Sequence, residues 1–425
     1  SYSVTGVQTC ALPIFIATTS TEEKIISDNT ILQLKFNKPI VDRASKTKFV
    51  MGYPGPDKSH GLNEILENLQ KAERDPNIVG IYLDLSYIPA DYATINEIRD
   101  ALTDFKTSGK FIWAFSEAYA QNAYYLASVA DSIFLHPQGA LEFQGLTAQS
   151  PFIKGLLEKL DIKMQVIRHG KFKAATEPLF LDKMSAENRL QVTKIISDIW
   201  NDMLTSLSES RNIPIADLNR IADSLLVATP EDAIRLKFAD KLMYKDELIS
   251  LFKSRLKLDS AKKINYVSLD DYIAVRDTKK ADFKADKIAV IYAQGSIERG
   301  EGDDQTIGSD RISRTIRKAR EDKKVKAIVF RINSGGGDAL ASDVIWREID
   351  LAKQQKPVVA SFGDVAASGG YYIACAATRI IADPSTITGS IGVFGVIPNM
   401  EGLFRNKLGI TFDWAMTNKD RKSVV

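Results

Sequence analysis

Histidine and cysteine are both scarce in this sequence. Its 425 residues hold three histidines (His60, His136, His169) and two cysteines (Cys10, Cys375). They are too few and too scattered for a His/Cys zinc site or a disulfide framework. Cys375 lies among small apolar residues and reads as a buried thiol. An excess of one charge is also missing. The 56 Lys+Arg and 54 Asp+Glu leave a net charge of +2, which points to no nucleic-acid partner. No apolar run approaches the roughly 18 residues of a membrane span. The Gly-Lys-Ser/Thr ending of a P-loop is absent, and so is a complete Gly-x-Gly-x-x-Gly. What is present is 44% apolar residues, ample for large cores, in a length that suits two or three domains.

Both ends have the look of foreign sequence. Residues 4–14 (Val-Thr-Gly-Val-Gln-Thr-Cys-Ala-Leu-Pro-Ile) resemble a translated sequencing adapter, and residues 420–425 resemble the opposite one. They are set aside from fold reasoning, like a fusion scar. The expected domains are an adapter-like, disordered remnant at 1–29, a first α/β domain at 30–253 and a charged linker at 254–286. A second α/β domain follows at 287–419, truncated at its end, and then the tail at 420–425.

Between the ends, strands alternate with amphipathic helices, which predicts βαβ units and a largely parallel sheet. Residues 30–42 read as an edge strand. Helix is expected at 61–74, strand at 78–85, helix at 93–107, strand at 110–115, helix at 118–129 and strand at 132–135. Residues 185–211 and 229–252 carry helical periodicity and complete the first domain. The order recurs with strands at 325–332, 358–361 and 380–382 and helices at 339–353 and 371–377.

The two halves align without a gap at an offset of 247 residues. Tyr124-Tyr125-Leu126-Ala127 falls on Tyr371-Tyr372-Ile373-Ala374, Phe115 on Phe362, Pro137 on Pro384 and Ile81 on Ile328. This is an internal duplication, with a period far too long for a solenoid.

The copies differ at two informative places. Ser368 with Gly369 and Gly370 replaces Gln121, Asn122 and Ala123, and Gly335-Gly336-Gly337 replaces Ile88-Pro89-Ala90. Ser368 sits where a buried strand turns into a helix, a place where backbone N–H groups favour developing negative charge. The glycine turn also ends a strand and exposes N–H groups, suited to an oxyanion hole. An ordinary strand–turn–helix corner is the plainer alternative, but a purely structural corner would serve both copies alike.

A serine nucleophile needs a base. None of the histidines lies in the second copy. His169 is the nearest, in residues 168–178 (Arg-His-Gly-Lys-Phe-Lys-Ala-Ala-Thr-Glu-Pro), which also hold Lys171 and Lys173. A lysine serves as base if burial lowers its pKa. A basic surface loop is the alternative.

Three motifs together resemble the signal peptide peptidase A (protease IV) family in its long, duplicated form. They are residues 170–178 (Gly-Lys-Phe-Lys-Ala-Ala-Thr-Glu-Pro), 368–372 (Ser-Gly-Gly-Tyr-Tyr) and 388–393 (Thr-Gly-Ser-Ile-Gly-Val). The resemblance covers nearly all of residues 30–419. It implies a Ser/Lys-dyad serine protease on two tandem ClpP/crotonase-type α/β domains. Ser368 would be the nucleophile and Lys173 the base, contributed by the other copy, leaving Lys171 on the surface. Ser390 would orient the lysine, and Gly336, Gly337 and Gly369 would supply oxyanion N–H groups. Where the family turn commonly has proline, this chain has Gly335, which should loosen the turn slightly.

The resemblance further implies that no metal or cofactor is needed. Its substrates would be cleaved signal peptides and other unfolded apolar peptides. It would form a homotetramer at the bacterial inner membrane, on the periplasmic side, anchored by an N-terminal segment not in this sequence. Two other readings stand beside it: a non-catalytic scaffold that binds membrane proteins, and a crotonase-like acyl-CoA enzyme relying on Asp338 or Asp364.

Overall fold

The computed structural model describes residues 26–44, 49–50, 53–54, 59–277, 285–415 and 417–418. The adapter-like ends and residues 278–284 of the expected linker lie outside them.

The first copy begins with β1 (Thr30–Leu34), α1 (Leu62–Arg74) and β2 (Ile78–Asp84). It continues through α2 (Tyr92–Lys106), β3 (Phe111–Tyr119), α3 (Gln121–Ala127) and β4 (Ser132–Leu141). After β4 come β5 (Lys163–Arg168), the long helix α4 (Ala186–Arg211), β6 (Lys241–Leu242) and β7 (Asn265–Ser268). Each crossover helix returns the chain to the same end of the sheet, so the strands run parallel. Their order is β6-β4-β3-β2-β1-β7. The strand expected at an edge is therefore internal. β7, from within the expected linker, closes the outer side of β1 in the register Leu32↔Val267. Ile31, Leu32 and Leu34 are buried on both faces of that position.

The second copy is built from β8 (Lys287–Gln294), α5 (Ser309–Glu321), β9 (Val325–Ser334) and α6 (Ala339–Lys353). β10 (Val358–Ala367), α7 (Gly369–Ala374), β11 (Arg379–Ile381), β12 (Ile387–Gly389) and β13 (Phe394–Asn399) complete it. Its parallel sheet has the order β8-β9-β10-β11, with β12 also on β10. The duplication is visible in the elements: adding 247 to Tyr92–Lys106 gives 339–353, the bounds of α6. It is visible in the core as well, where Ile81, Ile98 and Leu102 correspond to Ile328, Ile345 and Ile349, all fully buried. The tandem α/β architecture expected from the sequence is the one observed.

Several boundaries differ from expectation. β3 runs to Tyr119 and β10 to Ala367, so the helices after them start later or at the corner itself. The reason is extra pairing: Ala118 and Tyr119 meet Ala140 and Leu141, and residues 365–367 meet 387–389. Residues 229–252 resolve into two helices, Pro230–Arg235 and Lys245–Arg255, around β6. Cys375, expected buried, is exposed at the outward end of α7, where its Sγ donates to Tyr372 O.

Two of the joints between the copies bear on the site. β5 of the first pairs antiparallel with β13 of the second, from Arg168↔Phe394 to Lys163↔Asn399. The other is a buried charge cluster between β9, β10 and the first copy. Arg331 on β9 donates through Nε to Asp42 (2.8 Å) and through Nη2 to Glu97 (2.6 Å). Asp364 on β10 accepts from Thr94 N (2.8 Å) and Thr94 Oγ1 (2.6 Å) at the start of α2.

Candidate active site

Ser368 follows the last residue of β10. Its N–H donates to Gly389 O at 2.8 Å, continuing the β10–β12 ladder by one residue. Its backbone then turns sharply, with φ 53° and ψ −117°. A positive φ in a non-glycine residue costs roughly 1–3 kcal/mol and persists where the surroundings over-determine it. Here the β10–β12 pairing fixes the chain before the corner, and two glycines accept the crowding after it. A Cβ at Gly370 would lie 2.4 Å from Ser334 O. The hydroxyl thus stands at the top of the strand instead of packing into the sheet.

The glycine turn between β9 and α6 lies against this corner. Gly336 has φ 101°, and a Cβ there would fall 2.6 Å from the N–H nitrogen of Gly369. The N–H groups of Gly337 and Gly369 enter no backbone hydrogen bond of the turn or corner among the described residues. Gly336 is different. Its N–H donates to Ser334 Oγ at 3.1 Å, and that hydroxyl donates to Gly295 O at 2.6 Å. The Gly336 N–H, expected among the oxyanion donors, is thus already engaged, and the conformation and small size of Gly336 let the backbone nitrogens of Gly337 and Gly369 lie close together. If these N–H groups hold the oxyanion of a peptide-hydrolysis reaction, Gly336→Ala should lower kcat by on the order of 10²-fold by displacing Gly369 N–H, the scale of losing one oxyanion donor. Peptide-hydrolysis kinetics with a thermal-unfolding control check this. Unchanged kcat in a folded variant would count against it.

The lysine comes from the other copy. β5 ends at Arg168, and the following loop carries Lys173 across the ribbon. Its Nζ lies 3.1 Å from Ser368 Oγ and 3.2 Å from Ser390 Oγ, and it also donates to Ser390 O. The Phe394 ring lies 6.0 Å from the amine. Lys173 is 3% exposed, and burial pushes its amine below the ordinary lysine range. Among the described residues no carboxylate is a hydrogen-bond partner of this amine. Lys171, two residues earlier, points to solvent and pairs loosely with Glu187 at 3.9 Å. His169 is exposed and contributes nothing to this cluster.

Ser368, Lys173, Ser390, Gly337 and Gly369 are thus brought together. Asp338 and Asp364 are engaged elsewhere. Asp338 caps α6 by accepting from Ala341 N and pairs with Arg299. Asp364 takes Thr94 and, at 3.4 Å, Asn333 Nδ2. Neither carboxylate is left to act as the acid of an acyl-CoA reaction. Sequence reasoning passed over Ser334, Arg168 and Glu177. Ser334 adjoins the glycine turn, and the other two flank Lys173, so proximity was the only signal they offered. Among the described residues no group of His, Cys, Asp and Glu is arranged to hold a metal ion.

Residues 104–259 and 350–424 match the sequence pattern of peptidase family S49. Protease 4 of Haemophilus influenzae is 35% identical over 370 residues, 84% of this chain and 59% of that protein. The chloroplastic serine protease SPPA of Arabidopsis thaliana is 38% identical over 337 residues, 78% of this chain and 50% of that protein. Protease 4 of Salmonella typhi is 37% identical over 372 residues, covering 85% and 59%. The chain therefore spans between half and three-fifths of the length of these relatives. A local likeness to ClpP1 from Listeria monocytogenes has a TM-score of 0.18 at 22% identity, over 21% of this chain and 46% of that one. So slight a likeness carries no argument.

Proposed function

Because the chain belongs to peptidase family S49, we propose that it is a serine endopeptidase in which Ser368 is the nucleophile and Lys173 the general base. The observation that carries this reading is the 3.1 Å approach of a buried, carboxylate-free amine to the hydroxyl of a strained corner serine. A base acts at about 2.6–3.2 Å from the proton it removes.

In the proposed reaction, neutral Lys173 takes the proton of Ser368 as Oγ attacks the peptide carbonyl carbon. The carbonyl oxygen gains the electron pair and accepts hydrogen bonds from Gly337 N–H and Gly369 N–H. Collapse breaks the C–N bond, and the lysine ammonium gives its proton to the leaving amine. Water then attacks the ester, its proton going to Lys173, and Ser368 regains a proton as it leaves. Ser390 holds the amine in place through its carbonyl and hydroxyl.

The substrates proposed are extended apolar peptides, signal peptides among them. Ile391 and Val393, which flank Gly392 beside Ser390, are 74% and 66% exposed and offer apolar surface next to the reacting atoms. Membrane attachment, a periplasmic setting and a homotetramer belong to the same proposal, on the strength of the motif resemblance. Among the described residues no helix is long and apolar enough to cross a membrane.

Cleavage of an internally quenched apolar peptide as a function of pH tests the chemistry. Only neutral lysine can accept the proton. kcat/KM should therefore rise with pH and level off once pH passes the depressed pKa of Lys173, below the ordinary value near 10.4. Lys173→Arg, which stays protonated, should be inactive throughout. A flat profile, or an active Lys173→Arg, would remove lysine from the mechanism.

A further inference from the structure

We infer that Glu177 is a positioning residue for the general base: its buried carboxylate holds Arg168, and Arg168 holds the backbone carbonyl of Lys173. The inference rests on the Ser/Lys reading above and adds a residue to it. Glu177 is fully buried. Its Oε1 accepts from Ser185 Oγ (2.6 Å) and Arg168 Nη1 (3.4 Å). Its Oε2 accepts from Ser185 N (3.1 Å) and Asn188 Nδ2 (3.0 Å). The same Arg168 Nη1 donates to Lys173 O at 3.1 Å. One carboxylate thus ties together the end of β5, the lysine loop and the N-terminus of α4.

Other contacts hold the loop beside this one. Phe172 beside the lysine is exposed, and its carbonyl is held by Gln191 Nε2 at 2.9 Å. The Arg168 guanidinium also lies over the Phe180 ring at 5.1 Å. A buried carboxylate is costly unless its oxygens are hydrogen-bonded and its charge is paired. Here both conditions are met. Burial acts to raise the Glu177 carboxyl, but the hydrogen bonds from Ser185, Asn188 and Arg168 outweigh it and hold the group below the usual carboxylate range. The charge is therefore permanent near neutral pH, and so is the grip on Arg168. The amine itself meets only uncharged groups: two hydroxyls, a carbonyl and the Phe394 ring. The charged or titratable groups of its own loop are Arg168, His169, Lys171 and Glu177.

The test compares wild type with Glu177→Gln and Glu177→Asp by two measurements. The first is peptide hydrolysis. In Glu177→Gln one oxygen becomes an NH₂ group facing two donors. The loop should shift, and kcat should fall by about tenfold to a hundredfold while KM stays within about twofold, the scale of a small misplacement of a reacting group. Glu177→Asp keeps the charge and should recover part of the loss. The second measurement is the rate of Lys173 acetylation against pH, read by mass spectrometry with Lys171 as the exposed reference. It needs no catalysis. Wild-type Lys173 should titrate below the ordinary lysine range, and in Glu177→Gln it should move up toward that range as the amine leaves its buried position.

An unchanged Lys173 titration in Glu177→Gln overturns the inference, as does a loss of activity that only tracks the folded fraction. If Glu177→Gln does not fold, Arg168→Met breaks the link to Lys173 O and carries the same expectations for both measurements. If wild type cleaves nothing, or Ser368→Ala cleaves as well as wild type, the peptidase reading fails. The acetylation result still decides what Glu177 does to the lysine.

Discussion

Ser368→Ala should abolish peptide cleavage, with kcat down by on the order of 10⁴-fold or more and the fold intact. The side chain removed is one hydroxyl at a corner whose geometry is set by the backbone, through Ser368 N–H to Gly389 O and the pairing of residues 365–367 with 387–389. Alanine meets the same positive φ and loses no buried packing, so stability should change by less than about 1 kcal/mol. Lys173→Ala should cost as much in kcat. The double variant should be no worse than either single one, because a nucleophile and its base act as one unit and their losses do not add. Lys171→Ala is the control. Its side chain is 83% exposed, and it should cleave as wild type. Activity retained in Ser368→Ala would dismiss the nucleophile. An active Lys173→Ala beside a dead Lys171→Ala would move the base by two residues.

Arg331→Met should destabilise the protein by about 3–5 kcal/mol, the cost of leaving buried charge uncompensated. Arg331 is the cation between Asp42 and Glu97, and it also donates to Ser361 Oγ and Phe362 O. Burial raises the carboxyls of both Asp42 and Glu97 even with Arg331 present. Their folded pKa values therefore lie above the unfolded value near 4. Such groups favour folding at low pH and weaken it as pH rises through the folded pKa. Without Arg331 the raised values should climb further. The variant's deficit should then be largest at pH 8 and shrink toward pH 5. Urea unfolding at both pH values measures it. Adding Asp42→Asn and Glu97→Gln should recover part of the loss at pH 8, since the triple variant buries no unpaired charge. An equal deficit at both pH values would mean that packing, not charge, is what Arg331 contributes. Because this cluster joins β9 to the first copy, Arg331→Met should also lower kcat by loosening the approach of Lys173 to Ser368.

Much of the architecture was legible because it is repeated and local. The apolar spacing of residues 339–353 marks one face of a helix, and its echo at 92–106 marks another, so two α/β units follow from periodicity alone. Cys375 misled for the same reason. Its small apolar neighbours are what bury α7, but a six-residue helix has an outer face, and the thiol falls on it. β1 misled because an alternating strand has no way to announce its neighbour. Its partner β7 comes from more than two hundred residues later, within a charged stretch that reads as a linker.

By itself, the sequence determined the duplicated α/β plan, the serine at a glycine-flanked corner of the second copy, and a lysine-bearing loop in the first. Those properties are written in residue type and spacing, which act over a few turns of chain. Only the tertiary structure decided which groups meet. The antiparallel register Arg168↔Phe394 carries Lys173, not Lys171, to Ser368 and Ser390. The Gly336 N–H, one of the three expected donors, meets Ser334 Oγ. Arg331 finds Asp42 and Glu97 only once the two sheets dock. Hydrogen bonds depend on positions within a few tenths of an ångström, and burial depends on everything packed around a group. Both are set by contacts distant in the chain, which no local pattern encodes.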